Sequence, residues 1–185
     1  MQRELVERAQ RGDREAFTDL AAASLGRLDA IARLILRDPD LAKDAVQNGL
    51  VRAWRDLPTL RDPDRFDAWI RRLVVRACLD EARGQRRNQV TSTLIDVGAQ
   101  VVADASSVVA DQDQLERAFR RLRPEDRAII VLRHFLDLPV PEIADAMRIP
   151  LGTAKARLHR AMDQLRASLE ADARLTPGLA EDALT

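Results

Sequence analysis

The sequence predicts an all-α protein made of two small helical domains joined by a flexible acidic linker. Three observations predict it. The 185 residues include seven glycines and no tyrosine, and abundant alanine, leucine and arginine favour helix over sheet. Apolar residues recur at intervals of three and four along two long stretches, the spacing that lines one face of a helix. Between those stretches, residues 88–113 hold Asp96, Asp104, Asp111 and Asp113 and no lysine or arginine. The formal net charge is zero. Apart from Arg174, however, the basic residues fall into two blocks on either side of the acidic segment. A neutral average thus covers two mildly basic modules.

Composition narrows the class. Hydrophobic residues make up 46% and charged residues 32%, enough to bury a core and keep a charged surface. No apolar run approaches the ~20 residues of a membrane span, and Met1-Gln2-Arg3-Glu4 lacks the apolar core of a signal peptide. The single cysteine, Cys78, has no internal disulfide partner, and no cysteine cluster suggests zinc. The expectation is a cytoplasmic protein without membrane insertion, metal or cofactor.

The first domain, residues 1–87, reads as several helices. Leu5 and Ala9 begin the pattern, and Phe17, Leu20, Ala21, Leu28, Ile31, Leu34 and Ile35 continue it. Asp38-Pro39-Asp40 interrupts it before a helix from about Leu41 to Trp54, with Leu41, Ala45, Leu50, Ala53 and Trp54 as its apolar face. Pro58 and Pro63 bracket a polar loop. A further helix places Phe66, Trp69, Ile70, Leu73, Val74, Ala77 and Cys78 on one stripe and ends in the basic cluster Arg83 to Arg87. Residues 88–113 have no sustained period and read as the linker, with a short strand near Thr93 to Val97 as the alternative.

The second domain, residues 114–170, is helical again. Leu115, Phe119 and Leu122 form one stripe, and Pro124-Glu125-Asp126 suits the first turn of a helix that would bury Ile129, Leu132, Phe135 and Leu136. Residues 138–166 carry the most information. Val140, Ile143, Ala144 and Met147 outline a short helix, Arg148 to Leu151 a turn, and Ala154, Leu158, Ala161, Met162 and Leu165 a second helix. Two short helices, a tight turn and a basic outer face mark a helix-turn-helix at about 140–159. Thr153, Lys155, Arg157, His159 and Arg160 lie where base-reading side chains enter the major groove. The plainer alternative is a helical hairpin with solvated cations. Residues 171–185 are an acidic tail containing Pro177-Gly178.

The stretch from Leu138 to Ala161, with Pro-Glu-Ile-Ala before the turn and Gly-Thr-Ala-Lys-Ala-Arg after it, resembles the promoter-reading helix-turn-helix of extracytoplasmic-function (ECF) sigma factors. That family belongs to the sigma-70 superfamily of bacterial RNA polymerase sigma factors. Leu122 to Arg133 is similar to the start of the family's region 4. Ala42 to Trp54 looks like the polymerase-binding helix of region 2, and Phe66 to Arg83 like the helix that melts and reads the −10 element. The resemblance covers about residues 5–87 and 114–168, in the family's order. Three departures stand out: Asn48-Gly49 after the glutamine of the polymerase helix, Pro139-Val140 where a capping hydroxyl is usual, and Ala156 where serine is common.

The resemblance implies an alternative sigma factor, with no covalent chemistry of its own, that directs core polymerase to promoters. Asp44, Gln47, Asn48 and Val51 would dock on a coiled coil of the largest polymerase subunit, and region 4 on the flap of the second-largest. Thr153, Lys155, Arg157, His159 and Arg160 would read the −35 element. Arg61, Arg65, Arg71, Arg72, Arg76, Arg83, Arg86 and Arg87 would serve the −10 element, some of them pairing instead with Asp67, Asp80 or Glu81. The loop Leu57 to Arg65 would hold a flipped base, offsetting the few kcal/mol of unstacking. Twenty-six linker residues reach at most ~90 Å, against ~70 Å for two turns of duplex. An anti-sigma factor is a further expected partner, and the expected location is the cytoplasm, at the nucleoid when in holoenzyme. Other readings are a dimeric helix-turn-helix repressor, for which no dimerisation or ligand domain is evident, and a small helical enzyme, for which no catalytic constellation is evident.

Overall fold

The computed structural model describes residues 1–91 and 107–175, with side chains over residues 1–87 and 114–172. The described residues form α-helices joined by short turns, with no strand among them. The first four are α1 (Gln2–Gln10), α2 (Arg14–Leu36), α3 (Pro39–Asp56) and α4 (Phe66–Thr91).

Local chemistry sets these boundaries. Asp13 caps α2 by accepting from the Ala16 N–H at 3.1 Å, and Arg8 pairs with it at 2.7 Å. Those bonds hold the Asp13 carboxyl below the ordinary value, the Ala16 N–H contributing most. Arg37 ends α2 in the left-handed region at φ 60°. Asp38 then caps α3, accepting from the N–H groups of Asp40 and Leu41, with Pro39 in the first turn. Two 3₁₀ turns, Leu57–Thr59 and Pro63–Arg65, lead into α4. Gln10 ties this loop to α1 by donating to the Leu57 and Leu60 carbonyls at 3.2 and 2.7 Å.

The first core is a stack of stripes from all four helices. Val6, Leu28, Ile31, Ile35, Phe66, Ile70 and Val74 are fully buried. On α3 the buried face is Ala42, Ala45, Val46, Gly49 and Ala53, while Leu41, Leu50 and Trp54 lie at its margin. The small residues let α3 approach α4 closely. Trp54 packs on Phe17 at 5.1 Å between ring centroids, and Trp69 on Phe66 at 6.1 Å. Both indoles are therefore committed to packing, half-buried at the edge of the core.

The second group comprises α5 (Ser107–Arg121), α6 (Pro124–Ile130), α7 (Val140–Met147) and α8 (Leu151–Leu175). Helix thus enters the expected linker at both ends, α4 running to Thr91 and α5 starting at Ser107. The alternative strand at residues 93–97 lies outside the described residues. Of the expected stripe, Leu122 just past α5 is buried and Phe119 partly so, whereas Leu115 is half-exposed and Ala118 takes the fully buried place on α5. A π turn, Val131–Phe135, succeeds α6, with the Leu136 N–H donating to the Val131 carbonyl at 3.1 Å. Its extra residue per turn rotates the side chains beyond it. Ile129 and Leu132 stay buried as expected, but Phe135 is turned out to 55% exposure and Leu136 is only partly covered.

The tight turn between α7 and α8 is closed by Arg148 at φ 54°, with the Arg148 and Ile149 N–H groups donating to the Asp145 and Ala144 carbonyls. Beyond the expected end of the domain at 170, α8 continues to Leu175. The reason is Asp172, a buried carboxylate 2.8 Å from Arg121 and 3.8 Å from Arg117, which fastens α8 to α5.

Candidate nucleic-acid interface

The start of α8 projects from the second domain. Ala154, Ala161 and Leu165 are buried, which turns Thr153, Lys155, His159 and Arg160 to the surface. Arg157 is half-buried, and its charge helps to lower the Glu125 carboxyl. Lys155 and His159 line a groove of about 330 Å³ with Leu158, Met162, Arg133 and His134. Leu158 and Met162 pack against the core as the spacing suggested, but only in part. They are half-buried, the apolar floor beside the cations.

Arg133, His134 and Arg166 join this groove although periodicity did not single them out. Arg133 and His134 belong to the π turn, whose rotation a regular 3.6-residue template does not contain. His159 lies 3.4 Å from Asp163, and Arg160 Nε donates to the Ala156 carbonyl at 3.3 Å. Among the described residues no group of three side chains is placed to hold a metal ion.

On α3, Asp44 and Gln47 are exposed, and Val51 is an apolar side chain 62% exposed on the same helix. Asn48 differs: its amide donates to Glu81 on α4 at 2.8 Å, so it also joins the two helices.

The eight arginines expected to serve the −10 element divide into groups. Arg61 and Arg65 are exposed in the loop, Arg65 lying 3.6 Å from Asp62. The loop itself is well packed, with Leu57 and Pro63 buried and Asp64 bonded to Arg3 at 2.7 Å. Arg71 is half-buried and makes no hydrogen bond or ion pair among the described residues. Burial, then Arg27, pulls its pKa below the ordinary value. It borders a cavity of about 500 Å³ with Arg27, Leu20, Leu28 and Ile70.

Arg83 pairs with Asp80 at 3.0 Å, whereas Asp67 and Glu81 bind Gln2 and Asn48 instead of arginines. Arg87 is exposed near the end of α4. The remaining three face the second domain. Arg72 lies 3.4 Å from Asp145, and Arg86 donates to both oxygens of Glu125 at 2.7 and 2.6 Å. Arg76 donates to the Asp145 and Ala146 carbonyls at 2.9 and 3.1 Å.

Comparison with known proteins shows the family. Residues 20–88 match the family described as Sigma-70 region 2, and residues 112–165 match Sigma-70, region 4. The chain is 34% identical to an RNA polymerase sigma-E factor of Streptomyces avermitilis, covering 78% of this chain and 81% of that protein. It is 33% identical to the ECF RNA polymerase sigma factor SigM of Mycobacterium tuberculosis, covering 83% and 77%. Among solved structures, CnrH in complex with the cytosolic domain of CnrY is 27% identical, with a TM-score of 0.61 over 92% of this chain and 98% of that one. The sigma factor RpoE of Bartonella quintana, at 22% identity and a TM-score of 0.67, covers 84% of this chain and 98% of its own and shows the shared fold. With both regions matched in order, along with these relatives, the chain belongs to the ECF subfamily of sigma-70-type RNA polymerase sigma factors, which direct promoter-specific transcription initiation.

Proposed function

We propose that residues 1–87 form region 2 and residues 114–170 region 4 of a sigma factor that grips core polymerase through α3 and region 4. Lys155, His159 and Arg160 read −35 base edges, with Thr153 and Arg157 on the backbone. The −10 strand runs along α4, its phosphates met by Arg61, Arg65, Arg71, Arg72, Arg76, Arg83, Arg86 and Arg87. The observation that carries this reading is the exposed N-terminal half of α8, basic and rigidly mounted by the Arg148 turn. On α3, the exposed apolar Val51 beside Asp44 and Gln47 supports a docking face for the coiled coil of the largest subunit. Region 4 meets the flap of the second-largest subunit.

The protein works in the bacterial cytoplasm, at the nucleoid when in holoenzyme, and catalyses no covalent step. CnrH is in complex with the cytosolic domain of CnrY, and RpoE of Bartonella quintana with the anti-sigma factor NepR. A protein of anti-sigma type is the corresponding partner here. Run-off transcription on a promoter library tests the reading. Purified core polymerase should initiate at specific sites only with this protein added. Unchanged initiation without it, or operator binding by the isolated chain as a dimer, would overturn the reading.

A further inference from the structure

Arg27 of α2 and Arg71 of α4 border the same cavity of about 500 Å³, and neither makes a hydrogen bond or ion pair among the described residues. Leu20, Ser24 and Leu28 recur every four residues, so one face of α2 lines the cavity, with Ala23 and Arg27 in the neighbouring row. Leu20, Leu28 and Ile70 are buried, which makes the floor part of the core. Small-molecule sites occupy roughly 300–1,000 Å³, and this cavity falls inside that range.

Folding alone gives no reason to hold the two cations here. Burial first, then the charge of Arg27, pulls the Arg71 guanidinium below its ordinary value. Asp67 and Glu142 offset this only in part, and Arg72 adds to the repulsion. The fold thus sets like charges over an apolar floor and leaves one of them half-buried without an acceptor among the described residues. An ionisable group perturbed by burial and a charged neighbour inside a cleft is the pattern of a binding site.

The rim decides which anion fits. Asp67 is engaged, accepting from the Gln2 amide at 2.8 Å, and Asp19 is exposed at the same mouth. Carboxylates beside the two arginines repel a polyanion laid across the opening. A single anionic head can instead sit at the guanidinium forks, whose paired N–H donors match a carboxylate. An apolar body attached to that head reaches the floor and removes it from water.

We propose that the cavity between α1, α2 and α4 binds a small amphipathic monocarboxylate, its head held by Arg27 and Arg71 and its apolar body laid on Leu20, Leu28 and Ile70. The bound molecule and the −10 strand then compete for Arg71, a consequence that rests on the assignment of that arginine to the strand.

The test is titration calorimetry on the full chain with 4-phenylbutyrate, its uncharged analogue 4-phenylbutan-1-ol, and inorganic phosphate. Phenylbutyrate should saturate one site with a Kd of about 1 mM or tighter, and the alcohol and phosphate should each bind at least about tenfold more weakly. Two variants probe the head and the wall: Arg27→Gln, and Ala23→Phe at an exposed position of the cavity lining. Each should weaken phenylbutyrate at least about fivefold, with circular dichroism unchanged. Arg14→Gln, exposed on α2 outside the cavity, should have no effect. No saturable binding, equal affinity for the alcohol, undiminished binding by both cavity variants, or an equal loss from Arg14→Gln would overturn the proposal. So would weaker binding of a single-stranded oligonucleotide by Ala23→Phe in a chain that ignores phenylbutyrate, which would assign the cavity to a nucleotide. The calorimetry needs no polymerase, so failure of wild-type holoenzyme to initiate overturns the sigma reading and leaves the site standing.

Discussion

Gly49 of α3 lies so close to Val74 of α4 that a methyl group on its Cα would fall 2.6 Å from Val74 Cγ2 and 3.1 Å from Val74 Cα. The second distance is to backbone, which a rotamer change cannot relieve. The glycine that breaks the family pattern is thus a point of close helix approach beneath the proposed docking face.

Gly49→Ala should therefore destabilise the protein, although alanine favours helix by about 1 kcal/mol over glycine. Overpacking typically costs ~1–3 kcal/mol, and here it should win. Denaturant unfolding checks this. A raised midpoint would mean that α3 and α4 separate without penalty.

The docking face should be separable from the α3–α4 joint. Asp44→Ala/Gln47→Ala should leave circular dichroism unchanged and reduce capture of core polymerase, because both side chains are exposed. Asn48→Ala removes the bond to Glu81 and should also lower stability, by about 1 kcal/mol. Full polymerase capture by the double variant would place the docking surface elsewhere.

Lys155→Ala and Arg160→Ala should each cost ~1–3 kcal/mol at particular −35 base pairs. Arg157→Ala should weaken all sequences about equally and reduce the salt slope, because Arg157 is half-buried and reaches the surface at its margin. Holoenzymes assayed on single-base −35 variants at several salt concentrations decide between these roles. Uniform losses from Lys155→Ala and Arg160→Ala would make them positioning groups.

The Arg86–Glu125 contact between α4 and α6 should weaken in acid. Burial pushes the Glu125 carboxyl up, but the Arg86 hydrogen bonds, its own backbone N–H and the charges of Arg86 and Arg157 together hold it below the ordinary glutamate value. Arg127 on its own helix adds to that positive surround. A carboxyl lowered in the folded chain contributes fully above its ordinary value of ~4.3 and loses that contribution as pH falls through the native value. Denaturant unfolding should show stability falling across that window, and Glu125→Gln should lack this component.

Much of the fold was legible in the chain because helix stripes, caps and the helix-turn-helix turn depend on local spacing and chemistry. Leu20, Leu28, Ile31 and Ile35 are buried as their spacing implies, as are Phe66, Ile70, Val74 and Cys78. Ile143, Ala144, Met147, Ala154 and Ala161 obey the same rule in the second domain. The residues that look outward on α8 were legible for the same reason. Where regular spacing failed, a non-regular element intervened: the π turn exposes Phe135 and brings Arg133 and His134 to the groove.

By itself the sequence determined the all-α class, the helix-turn-helix and the family, because each rests on residues near one another along the chain. Only the tertiary structure decided what Gly49 is for and which arginines are engaged. The contacts Gly49–Val74, Arg86–Glu125 and Arg76–Ala146 join positions 25, 39 and 70 residues apart. No helical period links such positions, and an arginine's partner is settled by which carboxylate or carbonyl the packing brings within reach.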